Sequence, residues 1–253
     1  VILAVSAVGE GFAYSPLTHD DIIFVDVGQG DCVHIKAGGK NILIDGGGAA
    51  EYNVGEKKLK PYLLKNGVSK VDAAIATHRH TDHYKGLTEL SECMKTGEIY
   101  TEMTKGKTLQ ISEDVYIETV WPLTLPEGRT QDENKDCSVF LIHYGRYKVL
   151  ITGDLDKEGE RALIKYYAGT DTLKADILKI GHHGSRTSTS PEFLSAVSPD
   201  AAVIQVGRNN YGHPSEETLK TLDAFGCVMF RNDTDGAVGI SFDKKKIRIH
   251  TNF

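Results

Sequence analysis

The sequence predicts an α/β protein, an αββα sandwich whose site lies across the edge between its two sheets. Three observations predict it. Strand-like and helix-like segments alternate, the strand-like ones gather into two halves, and the apolar run Val71-Asp72-Ala73-Ala74-Ile75-Ala76 ends abruptly in Thr77-His78-Arg79-His80-Thr81-Asp82-His83. A buried strand that opens at its C-terminal end into a polar loop is where an α/β protein usually keeps its site.

The elements follow in order. Residues 1–8 are apolar but too short to span a bilayer, and small residues follow at Gly11, Ala13 and Ser15. They read as the tail of a secretory signal peptide, with the last turns of a membrane helix or an ordinary strand as the other readings. Residues 1–19 are therefore set apart from a domain over 20–253, and the expected location is extracytoplasmic, secreted or at the cell surface. Residues 21–27, 32–36 and 40–45 read as strands, with Gly28-Gln29-Gly30-Asp31 as a turn and Gly46-Gly47-Gly48 where the backbone must bend or approach a ligand. Residues 54–66 form an amphipathic helix that Pro61 kinks or restarts and Gly67 caps.

After the histidine loop a helix is expected over residues 86–95, its N-terminal dipole favouring a nearby anion. Strand candidates at 99–101 and 115–120 precede a polar surface loop, 123–137. A hairpin of residues 138–144 and 147–151 delivers Thr152-Gly153-Asp154, and a helix over 156–168 follows. Strand 176–180 ends in Gly181-His182-His183-Gly184-Ser185. Hydroxyl-bearing residues then lead to a helix from Pro191, where N-capping and a phosphate cradle are both plausible uses of the turn. Strand 201–206, a loop through Tyr211 and His213, and a helix over 215–225 come next, and strands at 228–230, 237–242 and 246–250 close the second sheet.

At 253 residues, with no linker and no repeat, the chain holds one large domain. Its 29 Lys and Arg against 35 Asp and Glu leave a formal charge of −6, which argues against gripping nucleic acid through a global basic field. A nuclease is not excluded, because divalent ions would offset the deficit locally. Cys32, Cys93, Cys137 and Cys227 form no Cys-x-x-Cys pair and read as free thiols.

The histidine loop is built to hold metal. His78 and His80, two apart, project to one side of an extended segment and grip one ion, while Asp82 and His83 turn toward a second. Imidazole with carboxylate suits Zn2+, one or two ions, with Mn2+ or Fe2+ as alternatives. A histidine-rich solvated loop is the bland alternative, and three imidazoles directly after a buried strand weigh against it. Asp26 and Asp45 read as acceptors that orient imidazole N–H groups, and for Asp31 that role and plain turn chemistry stand side by side.

His78-x-His80-x-Asp82-His83 after an apolar strand resembles the signature of the metallo-β-lactamase superfamily. Residues 24–31, 42–48, 150–154, 181–185 and 211–214, in that order, resemble the extracytoplasmic hydrolase domain of the ComEC family of competence DNA-uptake proteins and its stand-alone relatives. The resemblance implies that Asp154 bridges two ions and that His182 is the last ligand. It leaves His183 to face substrate phosphate or donate a proton, the two histidines being open to exchange. It also makes His213 a general acid or oxyanion donor, and Ser185, Thr187, Ser188 and Tyr211 substrate contacts. The family's further first-site histidine is missing, the matching stretch being residues 134–138, and His143 reads as a strand residue. Many ComEC-like chains carry Asp where this one has His80.

The implied reaction is hydrolysis of a phosphodiester, DNA among the candidates, by a water whose pKa the metal lowers to about 7, with Asp82, His183 and His213 as catalytic residues. It needs no nucleotide cofactor and takes the chain as a monomer. A phosphorylcholine-esterase-like enzyme is the alternative, followed by a β-lactamase and a non-catalytic binding domain.

Overall fold

In the computed structural model, which describes residues 3–6, 21–124, 134–243 and 246–251, the first half of the chain is strand-rich. It runs β1 (Leu3–Ser6), β2 (Asp21–Phe24), β3 (Val33–Ala37), β4 (Lys40–Ile44), a π-helical turn (Gly55–Leu59) into α1 (Lys60–Lys65), β5 (Lys70–Val71), β6 (Ala73–Ile75), α2 (Thr81–Cys93), β7 (Lys95–Thr96) and β8 (Ile99–Tyr100). The second half begins with β9 (Thr108–Gln110), β10 (Val115–Trp121), a 3-10 turn (Asn134–Asp136), β11 (Val139–Tyr144), β12 (Tyr147–Ile151) and α3 (Lys157–Tyr166). It continues with β13 (Ile177–Lys179), a second 3-10 turn (Gly181–Gly184), α4 (Pro191–Val197), β14 (Ala201–Ile204), α5 (Glu216–Phe225), β15 (Val228–Arg231), α6 (Asn232–Asp235), β16 (Val238–Phe242) and β17 (Ile247–Thr251).

Among the described residues these strands form one sheet in the order β1-β17-β16-β2-β3-β4-β6-β8, a second in the order β15-β14-β13-β12-β11-β10-β9, and a separate pair, β5-β7. The strands are apolar on both faces because both faces are covered. Ile22 and Phe24 of β2 and Phe140 and Ile142 of β11 point between the sheets into one core. Ile23 instead faces a cluster with Leu59, Leu63, Leu87 and Leu90 from the α1 and α2 side, while Val139 and Leu141 join Leu163, Leu194 and Leu222 from α3, α4 and α5. Full burial of each such side chain contributes about 1.5–3 kcal/mol. The αββα layering expected from the alternation is what forms.

One helix starts earlier than expected, and another restarts where expected. Helix α2 starts at Thr81 rather than near Gly86, with His80 extended as its N-cap and Asp82 in its first turn, where a carboxylate is favoured by the helix dipole. Gly86 is a contact point inside the helix, since a Cβ there would lie 2.0 Å from the Gly46 carbonyl oxygen. The helix around Pro61 restarts, the π-helical turn giving way to α1 with Pro61 in its first turn.

Of the three closing strands, β15 alone joins the second sheet; β16 and β17 cross back, β16 pairing antiparallel with β2. Register decides this: Val238 and Ile240 face Phe24 and Ile22 in the central core, and Asn232 in the crossing turn donates to the Phe24 carbonyl at 3.3 Å.

Residues Leu3–Ser6 of the expected N-terminal extension form a strand parallel to β17. The rest of the segment 1–19 lies outside the described residues, as does 125–133 of the expected surface loop. Among the described residues no helix is long and apolar enough to cross a membrane. All four cysteines are free thiols, with Cys32, Cys137 and Cys227 buried.

Candidate metal centre

The loops after β4, β6, β12, β13 and β14 meet at one edge of the sandwich. Because β12, β13 and β14 are parallel neighbours, their C-terminal ends present Asp154, the His182-His183 pair and Gln205 side by side. Strand β6, parallel to β4, brings Asp45 beside Thr77.

Asp45 anchors the histidine loop. It is buried, and its carboxylate accepts from Thr77 N at 2.7 Å, Thr77 Oγ1 at 2.8 Å and His83 Nδ1 at 2.9 Å. Since the Thr77 hydroxyl gives its proton to Asp45, it accepts from His78 Nδ1 at 3.0 Å. Both imidazoles therefore carry a proton on Nδ1 and aim Nε2 inward.

The inward atoms form two donor triads. His78, His80 and Asp154 make one; Asp82, His83 and His183 make the other, the donor atoms of each lying within 4.8 Å of one another. Asp154 joins them, its Oδ2 4.0 Å from His78 Nε2 and its Oδ1 3.1 Å from His83 Nε2 and 3.6 Å from His183 Nε2. His78 Nε2, His83 Nε2 and Asp154 Oδ1 are buried without a hydrogen-bond partner. Buried polar atoms left unpaired cost about 1–3 kcal/mol each, and such atoms within the two triads fit divalent ions.

The protonation balance agrees. Burial works against charge on His83 and His183, yet the carboxylates of Asp154 and its neighbours lift His83 well above the ordinary imidazole value and His183 to about 10. Burial likewise opposes the Asp154 anion, and the surrounding imidazoles nonetheless hold its carboxyl well below the carboxylate range. Burial, then the neighbouring His83, pushes His78 far down. The buried carboxylates thus draw positive charge onto His83 and His183, the sign of charge that a bound cation would supply.

Of the two adjacent histidines, whose assignment the sequence leaves open to exchange, His183 is the one that lies inside. His183 is buried, donates from Nδ1 to the Gln205 carbonyl at 2.9 Å, and places Nε2 3.2 Å from Asp82 Oδ2, so it joins the second triad. His182 is partly exposed, with Nε2 3.7 Å from Asp154 Oδ2, Asn134 Nδ2 3.3 Å from its Nδ1, and the His213 ring 5.6 Å away. Both occupy left-handed backbone, φ 49° and 52°, costing about 1–3 kcal/mol apiece. That turn points two consecutive side chains to different sides of the cleft.

Other expected residues sort by burial. Asp26 is exposed and accepts Gly28 N–H at 2.9 Å, which is turn chemistry, whereas Asp31 lies inside, 3.2 Å from His183 Nδ1. Ser188 turns inward, its hydroxyl donating to the Gly181 carbonyl at 2.8 Å, and the buried Ser185 hydroxyl pairs with Thr187 Oγ1 at 2.9 Å. Thr187 reaches within 3.4 Å of His182 Nδ1. Tyr211 is 75% exposed, its ring 6.0 Å from that of His213, so it stands at the mouth of the cleft.

The turn before α4 is an N-cap rather than a phosphate cradle. Ser190 Oγ accepts from Phe193 N, and the buried Glu160 carboxylate already occupies the N–H groups of Thr189 and Ser190. His143 is a strand residue, bonded to Glu118 at 3.0 Å and stacked on Tyr116. Sequence reasoning missed Gln205 and Lys179, and reached Asn134 only as part of the stretch 134–138. A lysine between Leu178 and Ile180 in an apolar strand was the one available signal.

A family model described as the metallo-beta-lactamase superfamily matches residues 25–102 and 124–208. ComE operon protein 3 of Bacillus subtilis is 30% identical over 90% of this chain and 34% of its own length, and competence protein ComA of Neisseria gonorrhoeae is 33% identical over 84% and 31%. The chain thus spans about a third of the length of the curated relatives it matches. Among solved structures, the metallo-beta-lactamase fold protein YhfI of Bacillus subtilis aligns with a TM-score of 0.54 at 14% identity, covering 84% of this chain and 96% of that one. CmlA, a diiron beta-hydroxylase from Streptomyces venezuelae, aligns at 0.56 and 14%, covering 88% and 54%. At such identities the structures share the fold.

Proposed function

This chain belongs to the metallo-beta-lactamase superfamily, a family of metal-dependent hydrolases, and from that premise we propose that it is an exported hydrolase of phosphodiesters, a nuclease of the ComEC kind. One observation carries the reading: two donor triads hinged on Asp154 open onto a cleft edged by His182 and His213. His78, His80 and Asp154 would hold one ion, and Asp82, His83, His183 and Asp154 the other. When bound, ions such as Zn2+ or Mn2+ supply an acidified water, with a pKa of about 7 beside Zn2+, and offset phosphate charge.

The chain's own residues do the rest. Asp45 and Thr77 fix the tautomers of His78 and His83, and the Gln205 carbonyl with Asp31 fixes that of His183. Asn134 Nδ2 donates to His182 Nδ1, which leaves the His182 proton on Nε2, facing Asp154 and the cleft. Burial lowers the pKa of His182 and of His213. Both are thus neutral donors that can bind phosphate oxygens without adding charge. The first triad lacks a third histidine, and His182 and Asn134 stand on the side where one would lie.

The test is hydrolysis of bis(p-nitrophenyl) phosphate and of single-stranded DNA by metal-stripped protein with Mn2+ or Zn2+ restored. Cleavage of both supports the reading, and Asp82→Ala abolishes it. Cleavage of the small ester alone moves the substrate to a small phosphoester, and failure on both with metal bound refutes phosphodiester hydrolysis. Export, which rests on the apolar N-terminal segment, is tested by fractionation of the source cells; retention in the cytoplasm refutes it.

A further inference from the structure

Beneath the two triads lies a third group of donors, Asp31, His83 and Asp154, whose ligand atoms are also within 4.8 Å of one another. A cation already serves it. Lys179, the last residue of β13 and fully buried, makes a short ion pair with Asp31 Oδ2 and donates to the Gly153 carbonyl at 2.8 Å. Asp31 Oδ1 in turn lies 3.2 Å from His183 Nδ1, and Asp31 Oδ2 3.6 Å from His83 Nδ1. The same aspartate accepts at its backbone from Gly47 N and donates from its N–H to the Asp82 carbonyl. Lys179 therefore joins the second sheet to the loops of the first at the floor of the centre. It lies two residues before Gly181-His182-His183 and touches the carbonyl directly before Asp154.

A lysine buried this deeply needs a reason, because an ammonium removed from water is costly unless paired. Packing alone would be served by the isoleucine or valine that fills neighbouring strand positions. We propose that Lys179 is a tethered cation that fills the third of three cation positions, and so sets how strongly the other two hold a divalent ion. It neutralises Asp31 without offering a site that metal can enter, which keeps Asp31 a charge partner of His183 rather than a ligand. Lys179 and Asp31 are positioning residues on this account, and the proposal rests on the reading of this cluster as a metal centre.

The test is titration of Mn2+ into metal-stripped protein by calorimetry, with thermal melting to confirm folding, across a charge series. Lys179→Met leaves one more negative charge and is expected to bind Mn2+ at least about tenfold tighter than wild type or to take an additional ion. Asp31→Asn leaves an unneutralised ammonium and is expected to bind at least about tenfold more weakly. The double variant Asp31→Asn with Lys179→Met restores the balance and is expected to return to within about threefold of wild type. Affinity that falls alike in all three variants would make the pair a packing device and overturn the proposal, as would wild-type affinity in all three. If one variant fails to fold, the order of the remaining two against wild type still decides. Absence of Mn2+ binding by the wild-type chain itself would instead overturn the metal-centre reading.

Discussion

Replacing Asp45 by asparagine is a one-atom change whose consequences can be worked through. The carboxylate meets three donors: Thr77 N on Oδ1, and Thr77 Oγ1 and His83 Nδ1 on Oδ2. An asparagine that keeps its oxygen toward Thr77 N turns its NH2 against the other two. The threonine hydroxyl then reverses and donates to His78 Nδ1, and His83 loses the acceptor that held its proton on Nδ1. Both imidazoles shift toward the tautomer with a proton on Nε2, the atom each aims into the centre. The opposite amide orientation sets NH2 against the buried Thr77 N–H, which costs about 1–3 kcal/mol. Loss of such an orienting partner lowers metal affinity by about 10–100-fold, about 1.4–3 kcal/mol. Loss of the negative charge acts in the same direction. Competition titration of Mn2+ into metal-stripped Asp45→Asn, with its melting curve as a check on folding, measures the effect. Affinity within threefold of wild type in a folded variant would refute the tautomer argument.

Three more outcomes are expected. His183→Ala should lose bound metal, whereas His182→Ala should keep its metal content and lose hydrolysis by about 10–100-fold; metal analysis beside kinetics separates them, and the reverse pattern would restore the exchanged assignment. His34, fully buried between Tyr62 and Asn41, has its pKa lowered to about 4, by burial first. The unfolded chain therefore takes up a proton near pH 6.5 that the folded chain refuses until about pH 4. Stability is full above pH 6.5 and falls by about 3 kcal/mol toward pH 4. Denaturant unfolding against pH should show that slope in wild type and lose it in His34→Gln; equal slopes would contradict it. Glu160→Ala frees the buried N–H groups of Thr189 and Ser190 and should lower unfolding free energy by about 2–4 kcal/mol, with an unchanged urea midpoint as the contrary result.

What the sequence made legible was local. The strand 147–151 and the helix capped by Ser215 and Gly226 carry their signals within a few residues, and each formed where periodicity and caps placed it. What it hid depends on partners distant in the chain. Asp26 and Asp31 look alike as turn aspartates, and only the approach of β13 and α2 makes Asp31 the buried one. Which of His182 and His183 faces inward is decided by a left-handed turn that no propensity requires. The hydroxyl-rich turn before α4 reads equally as an N-cap and as an anion cradle because Glu160, which satisfies its N–H groups, lies a helix away. The hairpin of β16 and β17 went to the wrong sheet because its alternation fits either sheet, and register against β2 selects one.

The central claim is that Asp154 joins two metal-holding triads, and anomalous diffraction from crystals soaked in Mn2+ tests it most directly. The account predicts two peaks on either side of Asp154, one beside His78 and His80 and the other beside Asp82, His83 and His183. No peak within the cluster, or a second ion ligated by His182 with His183 turned away, would contradict it.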